Sequence, residues 1–213
     1  MEKICVMLPL IKIRKWKTGE DFFMNGMNHI RKQNYQTLDL TYTALGAVLI
    51  VLCSWISIPA AVPFTMQTFA VFFVLAALGG ARGTASIFVY ILLGTVGLPV
   101  FSGFTGGAGR LLGNTGGYIV GFLFTGLAYW LVTRLFGKTR VVQLLALAAG
   151  LLAVYAFGTA WFLFVYARTS GSVGLAAVLG WCVFPFLVPD LLKLALALYL
   201  ARRLSPLLSL TRR

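Results

Sequence analysis

The chain alternates between long apolar stretches and short polar or glycine-rich connections. A helix that crosses a bilayer needs about 20 mostly apolar residues, and shorter segments cross where they are sheltered by their neighbours. The alternation therefore predicts an all-α integral membrane protein, a bundle of six transmembrane helices. The six apolar regions are 40–58, 65–78, 84–98, 116–133, 141–167 and 173–201.

The last apolar region is too long for one simple helix, and it contains Pro185 and Pro189. Proline fits the first position of a helix, because its missing N–H would have no partner there. We therefore expect a surface or re-entrant piece, followed by a spanning helix over 189–203.

The 18 Lys and Arg residues predict how the bundle is oriented. Fifteen of them fall before the first predicted helix, after the second, after the fourth or beyond the sixth, which is one side of the membrane if every helix crosses. Arg110 and Arg168 fall on the other side, and Lys193 lies within the last region. Because cytoplasmic loops carry an excess of Lys and Arg, both termini are predicted to be cytoplasmic in a multi-pass protein of the cell membrane.

The same distribution argues against nucleic acid as a partner, since the net charge of +13 comes from loops and ends. We expect a basic cytoplasmic N-terminal tail over 1–38, a membrane substrate-binding domain over 39–204 and a basic cytoplasmic C-terminal tail over 205–213. The single histidine, His29, and the absence of a CxxC pair predict no metal site and no cofactor. Cys53 and Cys182 are expected to be buried, inert thiols.

Two opposite charges, Asp190 and Lys193, lie three residues apart in this apolar chain. This spacing places both side chains on one face of a helix. A charge near membrane depth costs several kcal/mol unless it is paired, solvated or directed into a cavity. Two interpretations stay open: a local ion pair that reaches the outer interface, or the polar end wall of a ligand cavity.

Other polar residues, Gln67, Asn114 and Tyr118, are predicted at the same outer end of the bundle. The connection 99–117 lies there too, and seven of its nineteen residues are glycine. It is either a flexible turn or a loop that caps a ligand, and it lacks the GxxxxGK[ST] pattern of a phosphate loop. The set suggests a small, largely apolar ligand with a few hydrogen-bonding groups, entering from outside.

Four stretches resemble the BioY family, the biotin-binding S-components of energy-coupling-factor transporters. They run in the family's order, although Asn114 stands where proline is common and Val188 where glycine is common. The stretches are "VPFTMQTFAV" (62–71), "LLGTVGLPVF" (92–101), "GNTGGYIVGF" (113–122) and "PFLVPDLLK" (185–193).

The resemblance implies a six-helix protein that binds biotin at its outer face and works with a transmembrane coupling subunit and two cytoplasmic ATPase subunits. The chain itself has no ATP-binding motif. Small residues on the first span, Ala44 and Ala47, fit either a docking face for the coupling subunit or ordinary packing. The predicted substrate-binding residues are Asp190, Lys193, Asn114, Gly116, Gly117, Tyr118 and Gln67.

The chemistry of biotin suits the charged pair. Its ureido group has two N–H donors and one carbonyl, and its tail ends in a carboxylate. Asp190 can accept from the N–H groups through charge-assisted bonds. Lys193 can donate to the ureido oxygen or to the tail carboxylate, and the spacing leaves both open.

The same residues leave three alternatives open. An ion- or proton-coupled carrier of a small vitamin-like solute would use Asp190, but Lys193 would hold that acid ionised. A membrane enzyme would need a motif such as HExxH or GxSxG, which the chain lacks. The third alternative is a structural membrane protein that binds no ligand.

Overall fold

The computed structural model describes residues 19–59, 62–171 and 173–210, with side chains described over 36–59, 62–171 and 173–204. The chain divides into two compact units, 1–39 and 40–213. In the first unit, residues 19–39 are helical. Residues 1–18 of the predicted N-terminal tail and 211–213 of the predicted C-terminal tail lie outside the described residues.

The described residues are mainly helical, as predicted. Four segments are long and apolar enough to cross a membrane: Gln36–Trp55, Gly116–Phe136, Arg140–Thr169 and Leu175–Leu204. Two shorter apolar helices lie between the first and second of these. The elements in chain order are α1 (Gly19–Trp55), β1 (Ser57–Ile58), β2 (Phe64–Thr65), α2 (Gln67–Leu78), α3 (Gly80–Val96), α4 (Ala108–Leu112), α5 (Gly116–Phe136), α6 (Arg140–Thr169), α7 (Leu175–Cys182) and α8 (Phe184–Leu210).

Helix α2 forms the centre of the second unit. It packs against both α3 and α8, and Val71, Phe72 and Leu75 are fully buried. A helix that is apolar all round belongs in the interior. This central position holds the first residues of α2, where the polar Gln67 lies, against the beginning of α8.

Helices α5 and α6 form a close pair. A Cβ added at Gly121 would lie 3.2 Å from the Cα of Val154. The Thr125 hydroxyl donates to the carbonyl of Gly150 on the facing helix at 2.9 Å. Small residues let membrane helices approach this closely. The close packing of the two helices therefore holds in place the side chains that α5 and α6 contribute to the candidate site.

The predicted break in the last apolar region is wrong by several residues. Helix α7 ends at Cys182 and α8 begins at Phe184, so Pro185 and Pro189 both lie inside the first two turns of α8. Pro185 costs little there, because the first four N–H groups of a helix have no intrahelical partner. Pro189 removes one bond, to the carbonyl of Pro185. The helix is continued by packing rather than ended by proline.

The connection between α1 and α2 is a short antiparallel pair of strands, with Ser57 opposite Thr65 and Ile58 opposite Phe64. Thr65 was predicted to begin the second span, but it lies in strand β2, and the helix begins at Gln67. The pairing with β1 holds β2 extended, so its backbone carbonyl groups can bond to side chains of other elements.

The glycine-rich connection, 99–117, is anchored at its beginning. The Ser54 hydroxyl donates to the carbonyl of Val100 at 2.6 Å, and the Trp55 indole N–H donates to that of Pro99 at 2.9 Å. The Phe101 ring is fully buried and makes a T-shaped contact with the Tyr90 ring, with ring centres 5.5 Å apart. A Cβ at Gly94 would overlap the Phe101 ring. This end of the connection is therefore a packed insertion and not a free turn.

The two alanines predicted for docking lie in different environments. Ala47 is 2% exposed, whereas Ala44 is exposed. Between them, a Cβ at Gly46 would lie 2.5 Å from the Ser86 hydroxyl oxygen, and that hydroxyl donates to the carbonyl of Thr43 at 2.9 Å. The segment thus packs on α3 through Gly46, which leaves Ala44 on the surface. Docking of a coupling subunit at this surface stays a prediction.

Candidate functional site

A cavity lies at one end of the bundle, where α2, α5 and α8 begin. We call this the ligand end and the cavity the ligand cavity. Four of the seven predicted substrate-binding residues lie on its wall: Gln67, Tyr118, Asp190 and Lys193. The remaining lining residues are Val62, Pro63, Thr65, Thr68, Ser102, Thr115, Ile119, Phe122, Leu151, Val154, Tyr155, Cys182 and Phe186.

The charged pair on α8 is buried at the wall of this cavity. The Lys193 ammonium donates to Asp190 Oδ1 at 2.9 Å, and the two residues are 6% and 4% exposed, respectively. A buried ion pair repays its desolvation only when further hydrogen bonds satisfy both groups. Because both side chains are buried, the pair does not reach out to an interface. Other groups must therefore supply the further hydrogen bonds.

Tyr155 of α6 supplies a second hydrogen bond to the Asp190 carboxylate. Its hydroxyl donates to Asp190 Oδ2 at 2.8 Å, so both oxygens of Asp190 are held. Sequence reasoning missed Tyr155, which is one of eight tyrosines and lies in the middle of an uninterrupted apolar region. The available signal was weak: a buried tyrosine hydroxyl usually finds a hydrogen-bond partner.

Strand β2 supplies a second hydrogen-bond acceptor for the Lys193 ammonium. Lys193 Nζ donates to the carbonyl of Thr65 at 2.7 Å and lies 4.1 Å from the centre of the Phe64 ring, a favourable cation–π distance. Phe64 in turn stacks on Phe186 with ring centres 5.9 Å apart. The connection between α1 and α2 thus covers the Lys193 side of the pair.

The pair keeps unused hydrogen-bonding capacity. An ionised carboxylate has about four lone-pair sites and an ammonium has three N–H donors. Among the described residues, Tyr155 and Lys193 use two sites of Asp190, and Asp190 and Thr65 use two donors of Lys193. This leaves about two acceptor sites and one donor for a ligand, side by side on one wall.

Gln67 and Tyr118 face the same cavity with part of their capacity engaged. The Gln67 amide N–H donates to the Tyr90 hydroxyl at 3.0 Å. The hydroxyls of Tyr118 and Thr159 lie 3.2 Å apart. These bonds fix both side chains before any ligand arrives.

Asn114, Gly116 and Gly117 are not among the residues that line the cavity, although Thr115 between them is. A Cβ at Gly117 would overlap the side chain of Trp161 on α6, and one at Gly116 would overlap the backbone of Leu111 in α4. The Trp161 indole donates to the carbonyl of Gly113 at 3.0 Å. In this structure the two glycines serve the packing of the glycine-rich connection, and ligand contacts by these three residues stay a prediction.

Much of the remaining wall is apolar, including Ile119, Phe122, Leu151 and Val154, and three hydroxyl side chains line it as well: Thr68, Ser102 and Thr115. Cys182 lines the cavity as well, and Cys53 lies in the core; both are buried and free, as predicted. No group of three metal-binding side chains occurs within the residues that the structure describes. The arrangement suits an apolar molecule that carries a compact polar head.

The helices form a membrane bundle with a cavity at one end, and a buried charged pair with unused hydrogen-bonding capacity lies at the wall of that cavity. These features are typical of ligand-binding membrane proteins. The BioY family model matches residues 27–210, and the chain belongs to that family.

Relatives agree with this assignment. The chain is 40% identical to the biotin transporter BioY of Thermotoga maritima over 79% of its length and 96% of the relative's. It is 41% identical to the probable biotin transporter BioY of Pyrococcus horikoshii, over 68% of this chain and 81% of the relative. A solved structure, the S-component for biotin from an ECF-type ABC transporter, superposes with a TM-score of 0.70 at 27% identity, covering 80% of this chain and 92% of the other.

Proposed function

We propose that this chain is the membrane component that captures biotin for uptake, binding it in the ligand cavity and delivering it inward together with an ATP-driven module. One observation carries the proposal. The two acceptor sites and one donor left on Asp190 and Lys193 match the two N–H groups and one carbonyl of a ureido ring. The names of the relatives, biotin transporters, support the same ligand.

Biotin enters with its ureido ring toward the charged pair. The alternative orientation would place the tail carboxylate on Lys193, whose ammonium is 2.9 Å from the Asp190 carboxylate. Two carboxylates that close would repel each other in a site sheltered from water. The ureido ring carries no charge, and the apolar wall formed by Ile119, Phe122 and Leu151 suits the remaining ring.

The proposed topology has six crossings, with both termini in the cytoplasm and the ligand end outside. The four long apolar helices and the two shorter ones, α2 and α3, supply the crossings. Arg82, Arg134 and Lys138 line the opposite end of the bundle, and we propose that this end is cytoplasmic because cytoplasmic loops carry an excess of cations. This places the protein in the cell membrane as a multi-pass protein.

The delivery step needs partners, since the chain carries no phosphate-binding loop. We assign the energy source to two cytoplasmic ATPase subunits and the mechanical coupling to one transmembrane subunit. The solved relative, an S-component of an ECF-type ABC transporter, supports a module of this kind. The exposed Ala44 on α1 is the surface of this chain that we propose for the coupling subunit.

Binding to the purified protein tests the proposal. The protein is extracted in detergent, analysed for co-purified biotin, stripped and titrated with biotin and with dethiobiotin. We expect saturable binding of biotin at one site per chain. A folded, stripped protein that binds no biotin would contradict the assignment.

Uptake into vesicles separates the proposed mechanism from an ion- or proton-coupled carrier. Asp190 is bonded to Lys193 and Tyr155, so in this proposal its carboxylate is a fixed acceptor for the ligand rather than a proton carrier. We expect uptake to require the ATPase subunits and to survive a protonophore. Uptake by this chain alone that collapses with the proton gradient would favour the carrier.

A further inference from the structure

A second concave site, which we call the basic cleft, lies at the end of the bundle opposite the ligand end, between the α2–α3 turn and the last turns of α5. Its volume is ≈ 280 Å³. Biotin capture gives it no role. Its lining residues are Leu78, Gly79, Gly80, Ala81, Arg82, Trp130, Thr133, Arg134 and Lys138.

The charged side chains that line the basic cleft are cations. Three cationic side chains line it, Arg82, Arg134 and Lys138. The acids among the described side chains are Asp39 and Asp190, and neither belongs to its lining. A concave surface lined by several cations attracts anions, and its low-dielectric walls strengthen the attraction.

The cleft is shaped by backbone contacts rather than by mobile side chains alone. Gly79 has a φ of +87°, a conformation that favours glycine. A Cβ at Gly80 would lie 2.6 Å from the Cα of Trp130, and one at Gly79 would lie 3.7 Å from Lys138 Nζ. The α2–α3 turn is therefore pressed against α5, which fixes the distance across the cleft.

The exposed residues of α5 next to the basic cleft indicate which anion it binds. Trp130 is 40% exposed beside it, and the neighbouring α5 residues Leu131 and Leu135 are exposed and apolar. Apolar exposure on a spanning helix faces lipid tails, and tryptophan collects at the level of the headgroups. Basic pockets between helices on the cytoplasmic side bind anionic headgroups. We propose that the basic cleft binds the phosphodiester headgroup of an anionic phospholipid.

The basic cleft lies at the opposite end of the helices from Asp190 and Lys193. A lipid bound there stabilises the bundle without contacting biotin. This makes the two proposals separable. A headgroup bound to Arg82, Arg134 and Lys138 ties the α2–α3 turn to α5 from the membrane side.

The test compares vesicles of phosphatidylglycerol with vesicles of phosphatidylcholine. The cleft variant combines Arg134→Gln with Lys138→Gln, and the matched control combines Arg140→Gln with Arg202→Gln, two exposed cations outside the cleft. Lipid binding is read by native mass spectrometry, and stability by the melting temperature. Since each cation near an anionic surface contributes about a fivefold factor, we expect roughly 30-fold weaker phosphatidylglycerol binding for the cleft variant.

The parent and the control should both be stabilised by phosphatidylglycerol, with biotin affinity equal in all three proteins. Lys138→Glu alone, a charge reversal at an exposed position, is the second variant and should reduce lipid binding while the protein still binds biotin. Equal binding of the two lipids, an equal loss in the control, or the same stabilisation by inorganic phosphate alone would overturn the proposal. So would unchanged lipid binding with loss of assembly with the coupling module, which would assign the cleft to a partner protein.

Discussion

The hydroxyl of Tyr155 on α6 donates to Oδ2 of Asp190 on α8 at 2.8 Å. This bond fixes the carboxylate whose other oxygen accepts from Lys193, so the acceptor is oriented before a ligand arrives. An oriented site loses less conformational freedom on binding, which is the general source of affinity by preorganisation. Tyr155 is in this account a positioning residue that acts through Asp190.

Tyr155→Phe should weaken biotin binding by about tenfold or more, since a hydrogen bond to a charged group contributes ~1.5–3 kcal/mol. Titration of the stripped protein measures this. Tyr129→Phe is the control, because Tyr129 is buried on α5 and does not line the cavity. If both variants bind like the parent, Tyr155 does not position the acceptor.

Lys193→Met should weaken free biotin and biotin amides to the same extent, because we place the ureido oxygen on Lys193. The measurement is a pair of titrations with the acid and an amide of its tail, and Lys138→Met, an exposed lysine at the other end, is the control. A loss confined to free biotin would assign Lys193 to the tail carboxylate. Unchanged binding of both would remove Lys193 from the ligand contacts.

The glycine-rich connection should be protected by biotin where it meets the cavity. Ser102 lines the ligand cavity, so Ser102→Cys should react with a thiol reagent in the free protein and slowly when biotin is bound. Gly109→Cys, at an exposed position with open space, should react equally in both states. Gly106 is unsuitable, since a side chain there would overlap the carbonyl of Leu98. Equal labelling of Ser102→Cys with and without biotin would argue against closure by this connection.

Gly94→Ala should destabilise the protein by about 1–3 kcal/mol, the usual cost of overpacking, because the new Cβ would overlap the Phe101 ring. Thermal melting in detergent measures the loss, and biotin affinity should fall as well, since Phe101 anchors the connection that carries Ser102. Gly180→Ala has open space around it and should melt like the parent. A Gly94→Ala protein as stable as the parent would show that Phe101 moves aside without cost.

The helical membrane architecture could be predicted because apolar length is a property of the sequence alone. The bounds of α5 and α6 followed for the same reason. The start of α8 could not, since Pro189 removes one backbone bond while packing of α8 on α2 continues the helix. Strand β2 was also missed, because its extended form depends on pairing with β1, which no local pattern records.

The candidate site residues could be predicted from the sequence where they are charged or polar in an apolar segment. Asp190 and Lys193 are conspicuous in an apolar chain, and Gln67 and Tyr118 follow from their place at helix beginnings. Tyr155 and the carbonyl of Thr65 were out of reach, because one resembles any other buried tyrosine and the other is a backbone group. The glycines at 116 and 117 admit neighbouring backbone and Trp161, and their predicted ligand contacts stay a prediction.

The most direct test of the account is the biotin affinity of Asp190→Asn, measured by titration of the stripped protein. The substitution keeps the shape of the side chain and removes the charged acceptor, so we predict a loss of about tenfold or more. Asp39→Asn, which changes an acid outside the cavity lining, should bind like the parent, and melting curves should establish that each variant is folded. A folded Asp190→Asn protein that binds biotin as tightly as the parent would contradict the claim that this carboxylate holds the ligand.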